Sequence, residues 1–140
     1  MQVVLDKRQN ELEQRQMEMA KIIAALQKQE GELQEIKNSQ LRNSEQIENL
    51  YKLDVLDIQQ IESHRGYGLK LIIDEQNKQR IISNTKALLL RKQNEVREAH
   101  KKVEVLKKLR ENKEQEYYKE FLSLETKEID DITSARFNFR

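Results

Sequence analysis

Apolar residues recur every seven positions along the first part of the chain, and polar residues fill most of the positions between them. The repeat comprises Leu5, Leu12, Met19, Leu26 and Leu33. Because an α-helix makes about 3.6 residues per turn, side chains seven apart lie along one stripe, and a slight supercoil keeps the stripe facing a partner helix. The pattern predicts a coiled-coil helix over about residues 2–51.

A second periodic region follows the first and extends almost to the C-terminal end. Its cleanest run has the spacing 3-4-3, which is typical of a helix that packs along one stripe. The run is Val96, Ala99, Val103 and Leu106. We therefore predict a second helix that extends to about residue 137, so that the whole of 1–140 forms a single coiled-coil domain.

Two positions could hold the turn between these helices. Asp57 and Gln60 have the spacing of a capping box, which favours a turn over about residues 52–57. Gly66 and Gly68 favour a break near residue 66, because two glycines this close weaken a helix. Both breaks pair apolar residues with apolar residues, so the pattern alone leaves both open.

The fold class predicted from these stripes is all-α: two long helices forming an antiparallel coiled-coil hairpin. The alternative is one continuous helix that forms a parallel homodimer and serves as a structural spacer. A charged fraction of 36% and an aromatic fraction of 5% suit long solvated helices better than a globular core. The second stripe is about as long as the first, which favours the hairpin.

Charge and hydropathy exclude several classes of partner. Lys and Arg total 26 against 25 Asp and Glu, and the two signs are interspersed, whereas nucleic-acid binding requires clustered cations. No apolar run approaches the roughly 20 residues needed to cross a bilayer, so no membrane insertion is expected. We expect a soluble chain that acts by touching other proteins.

No catalytic, cofactor or metal site is predicted. The chain has no cysteine, and its two histidines, His64 and His100, are far apart, whereas zinc needs three or four converging ligands. Asp130 and Asp131 are adjacent, so on a helix their side chains diverge and cannot work as a carboxylate pair. Because no such site is found in the sequence, we expect that the protein is not an enzyme.

Four segments taken in order resemble one family. They are Gln2–Arg8, Asp57–Ile61, Val105–Glu111 and Glu125–Ile132. Together they resemble the FliJ family, the small coiled-coil proteins of the bacterial flagellar type III export apparatus. The resemblance implies a hairpin similar to the stalk subunit of rotary ATPases, with its turn before Ile58. This selects the turn at about residues 52–57 and places the second helix over about residues 58–137. It also implies additional residues before the Val-Leu stretch, so the natural chain is expected to begin earlier.

The family resemblance implies a coupling role. FliJ-like proteins insert the end bearing both termini into the hexameric export ATPase FliI and promote its assembly and activity. They also contact the cytoplasmic domain of the export-gate protein FlhA, and they interact with export chaperones. The chain is then expected in the cytoplasm, peripheral at the inner-membrane export apparatus, and as a monomer when free. The equivalent stalk protein of an injectisome-type secretion system remains an open alternative.

The resemblance also implies which residues meet each partner. The expected gate-protein contacts lie early in the second helix: Ile58, Ile61, His64, Tyr67 and Leu71. The expected ATPase contacts lie near both termini: Val4, Leu5, Arg8, Ile132, Arg136, Phe137 and Phe139. Tyr67 is the favoured gate contact, because its small neighbours leave its ring unshielded.

Overall fold

Two α-helices form the fold. The computed structural model describes the backbone of residues 1–138 and side chains through Arg136. Helix α1 covers Gln2–Tyr51 and helix α2 covers Ile58–Asn138, and there is no strand within the described backbone. The helices pack against each other in opposite directions, which confirms the predicted all-α hairpin. The alternative of one continuous helix is wrong.

The chain divides into two compact units. The turn unit is Arg15–Val96, and the terminal unit combines Met1–Gln14 with Arg97–Arg140. Each unit contains a stretch of α1 and a stretch of α2, so each has its own seam. That the chain behaves as a single domain stays a prediction.

Hydrogen bonds at both helix ends define the turn. The N–H groups of Lys52 and Leu53 donate to carbonyls three residues earlier, at 3.2 and 3.4 Å, which tightens the last turn of α1. At the start of α2, the backbone N–H of Gln60 donates to Oδ1 of Asp57 at 3.1 Å. Asp57 therefore acts as the N-cap of α2. The helix then continues without a break through Gly66 and Gly68.

The seam of the turn unit has buried apolar side chains on α2 at Ile61, Leu71 and Ile82. Successive positions along this stripe are three or four residues apart, so only one of the neighbouring residues Ile81 and Ile82 can belong to it. Ile82 is 7% exposed, whereas Ile81 is 43% exposed. Steps of seven back from Val103 pass through Val96 and Leu89 to Ile82, so the repeat itself makes this choice.

Polar pairs cross the same seam at regular intervals. The Lys78 ammonium donates to Glu32 at 2.6 Å, and the Lys92 ammonium donates to Glu18 at 3.0 Å. Moving 14 residues back along α1 thus moves the partner 14 residues forward along α2. The register between the helices is therefore constant over this stretch.

The terminal unit has a short seam followed by a long stretch of α2 with exposed side chains. Leu5 on α1 is 1% exposed, Val103 on α2 is also buried, and Arg110 donates to the side-chain oxygen of Gln2 at 3.2 Å. All side chains of residues 111–136, hereafter the C-terminal segment, are exposed.

Candidate interaction surfaces

The expected gate contacts differ in their exposure. Ile61 and Leu71 are buried in the seam between the helices, and His64 is half-buried. Ile58 and Tyr67 are exposed and are available to a partner. Their positions on α2 are nine residues apart, which at about 100° per residue places them on opposite sides of the helix. One flat contact cannot cover both.

His64 is held by an asparagine on the other helix. Asn43 is 5% exposed, its Nδ2 donates to the backbone oxygen of His64 at 2.9 Å, and its Oδ1 lies 3.1 Å from His64 Nδ1. This geometry assigns the ring proton to Nδ1, because the asparagine oxygen can only accept. Gly68 permits the approach, since a Cβ built there would lie 3.0 Å from Asn43 Nδ2.

An open groove of about 590 Å³ lies beside this pair, between α1 and α2. Its apolar lining includes Ile47 from α1 together with Leu69 and Ile72 from α2, and Arg65 lies at its edge. Leu69 and Ile72 are both exposed. They lie on the same side of α2 as Ile58, as the separations of 11 and 14 residues require. We name this surface, Ile58 with Leu69 and Ile72, the groove face.

Leu69 and Ile72 are not among the contacts expected from the sequence. Both belong to the run Leu69–Ile73, in which apolar residues at four of five positions exceed what one seam stripe can bury. That excess is a usable signal, because at most two of them can face the partner helix. Leu71 is buried, and the surplus side chains lie on the surface.

The expected ATPase contacts on α1 also differ in their exposure. Leu5 is buried, Val4 is exposed, and the half-buried Arg8 donates to Glu11 at 3.0 Å. Val4 and Arg8 line a shallow groove of about 340 Å³ together with residues of α2. The α2 lining is Glu98, Lys101, Lys102, Val105 and Leu106. The groove is therefore cationic with an apolar floor.

The remaining expected ATPase contacts lie at the end of α2. Ile132 and Arg136 are exposed. The side chain of Phe137 and all of Phe139 lie outside the described residues. The C-terminal segment also exposes several further large apolar side chains, namely Tyr117, Tyr118, Phe121, Leu122, Leu124 and Ile129.

Ion pairs across the seam shift the ionisation of the groups that form them. The hydrogen bond from Lys92 holds the pKa of Glu18 below its ordinary value, and Glu18 in turn raises the pKa of Lys92. Lys78 likewise lowers the pKa of Glu32. These shifts favour the charged forms of Glu18, Glu32 and Lys92, which are the forms that make the hydrogen bonds across the seam.

The structure has no arrangement suited to metal binding in its described part. No group of three or more His, Cys, Asp or Glu side chains there is placed to hold an ion. His100 lies 3.7 Å from Glu104 on the same helix, far from His64 in sequence. Among the described helices, none is both long and apolar enough to span a membrane.

The fold and these surfaces define a two-helix, antiparallel coiled-coil protein that exposes apolar side chains in each of its units. The model of one protein family, described as "Flagellar FliJ protein", matches residues 1–140. The chain therefore belongs to the FliJ family and is a component of the flagellar export apparatus. The role of this family in the apparatus is not enzymatic. No curated protein and no solved structure matches the chain.

Proposed function

We propose that this chain is a non-catalytic coupling component that links the export ATPase hexamer to the cytoplasmic domain of the export-gate protein. The observation that carries the proposal is the C-terminal segment, a stretch of helix whose large apolar side chains are exposed. Large exposed apolar patches on proteins usually mark interaction sites. Export chaperones are further proposed partners, and the proposed location is the cytoplasmic side of the inner membrane.

The terminal unit is the proposed ATPase-binding end. Val4, Ile132 and Arg136 are exposed there and can touch a partner directly. Leu5 is buried against α2, so its part is to hold the start of α1 in place. Arg8 contributes to the cationic groove while remaining paired with Glu11. Phe137 and Phe139 remain proposed contacts.

ATP hydrolysis by the purified export ATPase tests this end. We expect that deleting residues 133–140, or replacing Ile132 by Ser, removes most of the stimulation given by the intact chain. Ser134→Ala is the matched control, because it changes the same turn without removing an apolar side chain. Full stimulation by the deletion variant and by Ile132→Ser would exclude these residues from the contact.

The groove face is the proposed gate-protein contact in the turn unit. It offers three exposed apolar side chains and a groove, whereas Tyr67 is a single exposed ring on the opposite side of α2. Hot spots of protein interfaces lie in well-packed pockets, which a groove provides and an isolated ring does not. Ile61, His64 and Leu71 would then support this face from within the seam.

Binding to the purified cytoplasmic domain of the gate protein separates the two sides of α2. We expect Leu69→Ser and Ile72→Ser each to weaken binding by about tenfold, since truncating a central contact costs more than about 1 kcal/mol. Leu90→Ser, an exposed leucine elsewhere on α2, is the control. If Tyr67→Ser weakens binding and the groove-face variants do not, the contact lies on the Tyr67 side.

Two other proposals concern catalytic activity and the type of secretion system. The chain is proposed to hydrolyse nothing itself, so purified protein should show no ATPase activity alone. The flagellar system is favoured over an injectisome because the matching family model is a flagellar one. Complementation of motility in a strain that lacks its own FliJ-type protein tests that choice.

A further inference from the structure

One part of the turn unit has basic residues and no acidic ones, although the two signs are interspersed along most of the chain. Residues 19–29 of α1 and residues 76–94 of α2 contain no Asp or Glu, and they contain two and five Lys or Arg residues respectively. The helix register brings these stretches opposite each other, since Glu18 pairs with Lys92 and Glu32 pairs with Lys78 at either end. The middle of the turn unit is therefore basic on both helices.

Two glutamates show which stripes of α1 and α2 share one side of the seam. The ammonium of Lys92 donates to Glu18 of α1 at 3.0 Å and to Glu95 of α2 at 3.1 Å, so these carboxylates lie on the same side. Residues seven apart occupy one stripe of a coiled-coil helix. The α1 stripe of Glu18 therefore continues to Ala25, and the α2 stripe of Glu95 runs back to Leu88.

These two stripes expose apolar side chains within the basic stretches. Leu88 is 37% exposed, Ile81 one repeat earlier is 43% exposed, and Ala25 is exposed on the facing helix. Since more than half of the isoleucine and of the leucine is covered, these residues form part of a surface and do not project far from it. We name this surface, Ala25 with Ile81 and Leu88, the middle face.

Three basic residues border the middle face. Lys21 and Lys28 lie four residues before and three residues after Ala25, and all three are exposed. Arg91, also exposed, lies three residues after Leu88. Residues three or four apart are neighbours on a helix surface, so each cation lies beside the middle face. The two seam lysines are neutralised by glutamates of α1, whereas these three cations form no ion pair within the described residues. Their charge is therefore available to a partner.

The middle face sets two requirements for a partner. Its apolar side chains favour an apolar surface, and the cations beside them need carboxylates opposite when they lose water. The channel between two packed helices is also the position that a third helix takes in a bundle, and an amphipathic helix can lay its apolar stripe there. An acidic amphipathic helix meets both requirements.

Two other anionic partners meet only one of them. The phosphates of a nucleic acid would pair with the cations, but they would place a polar backbone against Ile81 and Leu88. A membrane surface with anionic lipids requires apolar side chains that reach into it, and the partly covered side chains of the middle face do not.

We propose that the middle face binds an amphipathic α-helix of a partner protein, in which Asp or Glu residues flank the apolar stripe. The seam ion pairs at its two ends are 14 residues apart on each helix, which corresponds to about 21 Å or about four turns of the partner helix. The middle face shares no residue with the proposed ATPase and gate contacts. It is therefore a third interaction surface of the chain.

Two synthetic peptides of about 20 residues test this assignment on the full chain. Both present leucines at heptad spacing, and they differ only in the residues beside that stripe, which are Glu in the acidic peptide and Lys in the basic peptide. We expect the acidic peptide to bind at least about tenfold more tightly than the basic one. Its affinity should fall as NaCl rises from about 0.1 M to about 0.5 M, because salt screens the charge pairs. Fluorescence anisotropy measures both effects.

Charge reversals on the chain show where the acidic peptide binds. The on-face variant is Lys28→Glu with Arg91→Glu. The off-face variant, of equal net charge, is Lys37→Glu with Lys86→Glu. Its positions are exposed and lie nine residues after Lys28 and five residues before Arg91, which places each on another side of its helix. We expect the on-face variant to bind the acidic peptide at least about tenfold more weakly and the basic peptide more tightly than the original chain does, whereas the off-face variant stays within about threefold.

A serine substitution tests the apolar part of the middle face. We expect Leu88→Ser to weaken binding of the acidic peptide by about tenfold, since it truncates a central contact. Leu90→Ser is the matched control, because Leu90 is exposed two residues further on and lies on another side of α2. Circular dichroism verifies that every variant retains its helix content.

Several results would overturn the inference. If both peptides bind equally or neither binds, the partner is not an acidic helix, and if on-face and off-face reversals act equally, the site lies elsewhere. A DNA duplex or phosphatidylglycerol vesicles that bind the original chain but not the on-face variant, without binding of the acidic peptide, would make a nucleic acid or a membrane the occupant. A dimeric mass of the free protein that becomes monomeric only in the on-face variant would make a second copy the occupant. These measurements use neither the ATPase nor the gate protein, so their outcome is independent of the proposed function.

Discussion

The amide of Asn43 on α1 hydrogen-bonds the backbone carbonyl of His64 on α2, with 2.9 Å between Nδ2 and the oxygen. The same asparagine accepts from the histidine ring, so one buried polar side chain joins main chain and side chain of the facing helix. A single polar residue at a coiled-coil seam position restricts the register, since a slipped pairing would leave it without partners. The contact lies beside the groove face. By restricting the register between the helices there, it also fixes where the groove face lies relative to α1.

Replacing Asn43 by Ala removes both bonds from a buried position. We expect the free energy of unfolding to fall by about 1–2 kcal/mol, because the histidine ring loses its acceptor and a cavity remains. Chemical denaturation followed by circular dichroism measures the change. Asn94→Ala is the control, because Asn94 is exposed on α2 and gains the same helix propensity. Equal stability of the two variants would contradict a structural role for Asn43.

The glycines of α2 give a matched pair of substitutions. A Cβ at Gly66 would meet nothing within 4 Å, whereas a Cβ at Gly68 would lie 3.0 Å from Asn43 Nδ2. We expect Gly66→Ala to raise the free energy of unfolding by about 1 kcal/mol, the usual gain of alanine over glycine in a helix. Gly68→Ala should give less than this gain or a net loss, since Asn43 must move and its bond to His64 weakens.

Thermal unfolding of both variants side by side checks this difference. Gly31→Ala serves as a second reference, because a Cβ there also meets open space. If Gly68→Ala stabilises as much as Gly66→Ala and Gly31→Ala, the close approach of Asn43 to α2 is not a constraint. The comparison therefore tests the geometry of the seam beside the groove face without removing any side chain.

The seam ion pairs make stability depend on pH. Lys92 holds the pKa of Glu18 below its ordinary value in the folded state, so the folded state releases this proton more readily than the unfolded state does. The resulting stabilisation is complete above the ordinary glutamate pKa and is lost as the pH falls through the folded pKa. The raised pKa of Lys92 acts at the other extreme, and its contribution is lost only at strongly alkaline pH.

Glu18→Gln tests the acid side of this dependence. We expect the variant to lose less stability than the original chain between about pH 6 and about pH 3, because a glutamine has no proton to take up there. Glu13→Gln, an exposed glutamate of the same helix, should follow the original chain. Melting temperatures measured across this range provide the comparison. If the melting temperatures of Glu18→Gln and of the original chain change in parallel with pH, the ion pair with Lys92 makes no measurable contribution to stability.

The fold was predictable because seam residues obey a simple spacing rule. The heptad stripe from Leu5 predicts α1, and the Asp57 to Gln60 spacing indicates the cap that the structure contains. Ile82 could be predicted in the same way, since steps of seven back from Val103 give Val96, Leu89 and Ile82. Steps of seven back from Ala99 likewise give Lys92 and Lys78. What could not be predicted is that these lysines pair with Glu18 and Glu32, because that depends on the register between the two helices.

The interaction surfaces were predictable only in part. The family pattern supplied Ile58 and Tyr67, and their separation of nine residues already places them on opposite sides of α2. It could not tell which of these two sides adjoins the groove, because that depends on which residues form the seam. Leu69 and Ile72 became apparent once Leu71 was seen to be buried. The exposure of the large apolar side chains of the C-terminal segment was likewise apparent only from the structure. These properties depend on the register of two helices and are absent from either stripe alone.

The register itself can be tested by cross-linking without a spacer. A carbodiimide joins a carboxylate to an amine only when they are in direct contact, as Glu32 and Lys78 are at 2.6 Å. We expect mass spectrometry to find the peptide pairs Glu32–Lys78 and Glu18–Lys92. When ¹⁴N- and ¹⁵N-labelled chains are mixed before the reaction, each pair should carry a single label, because both partners belong to one molecule. Mixed labels at these positions would mean that helices of different copies pair, and the intramolecular hairpin would then be wrong in solution.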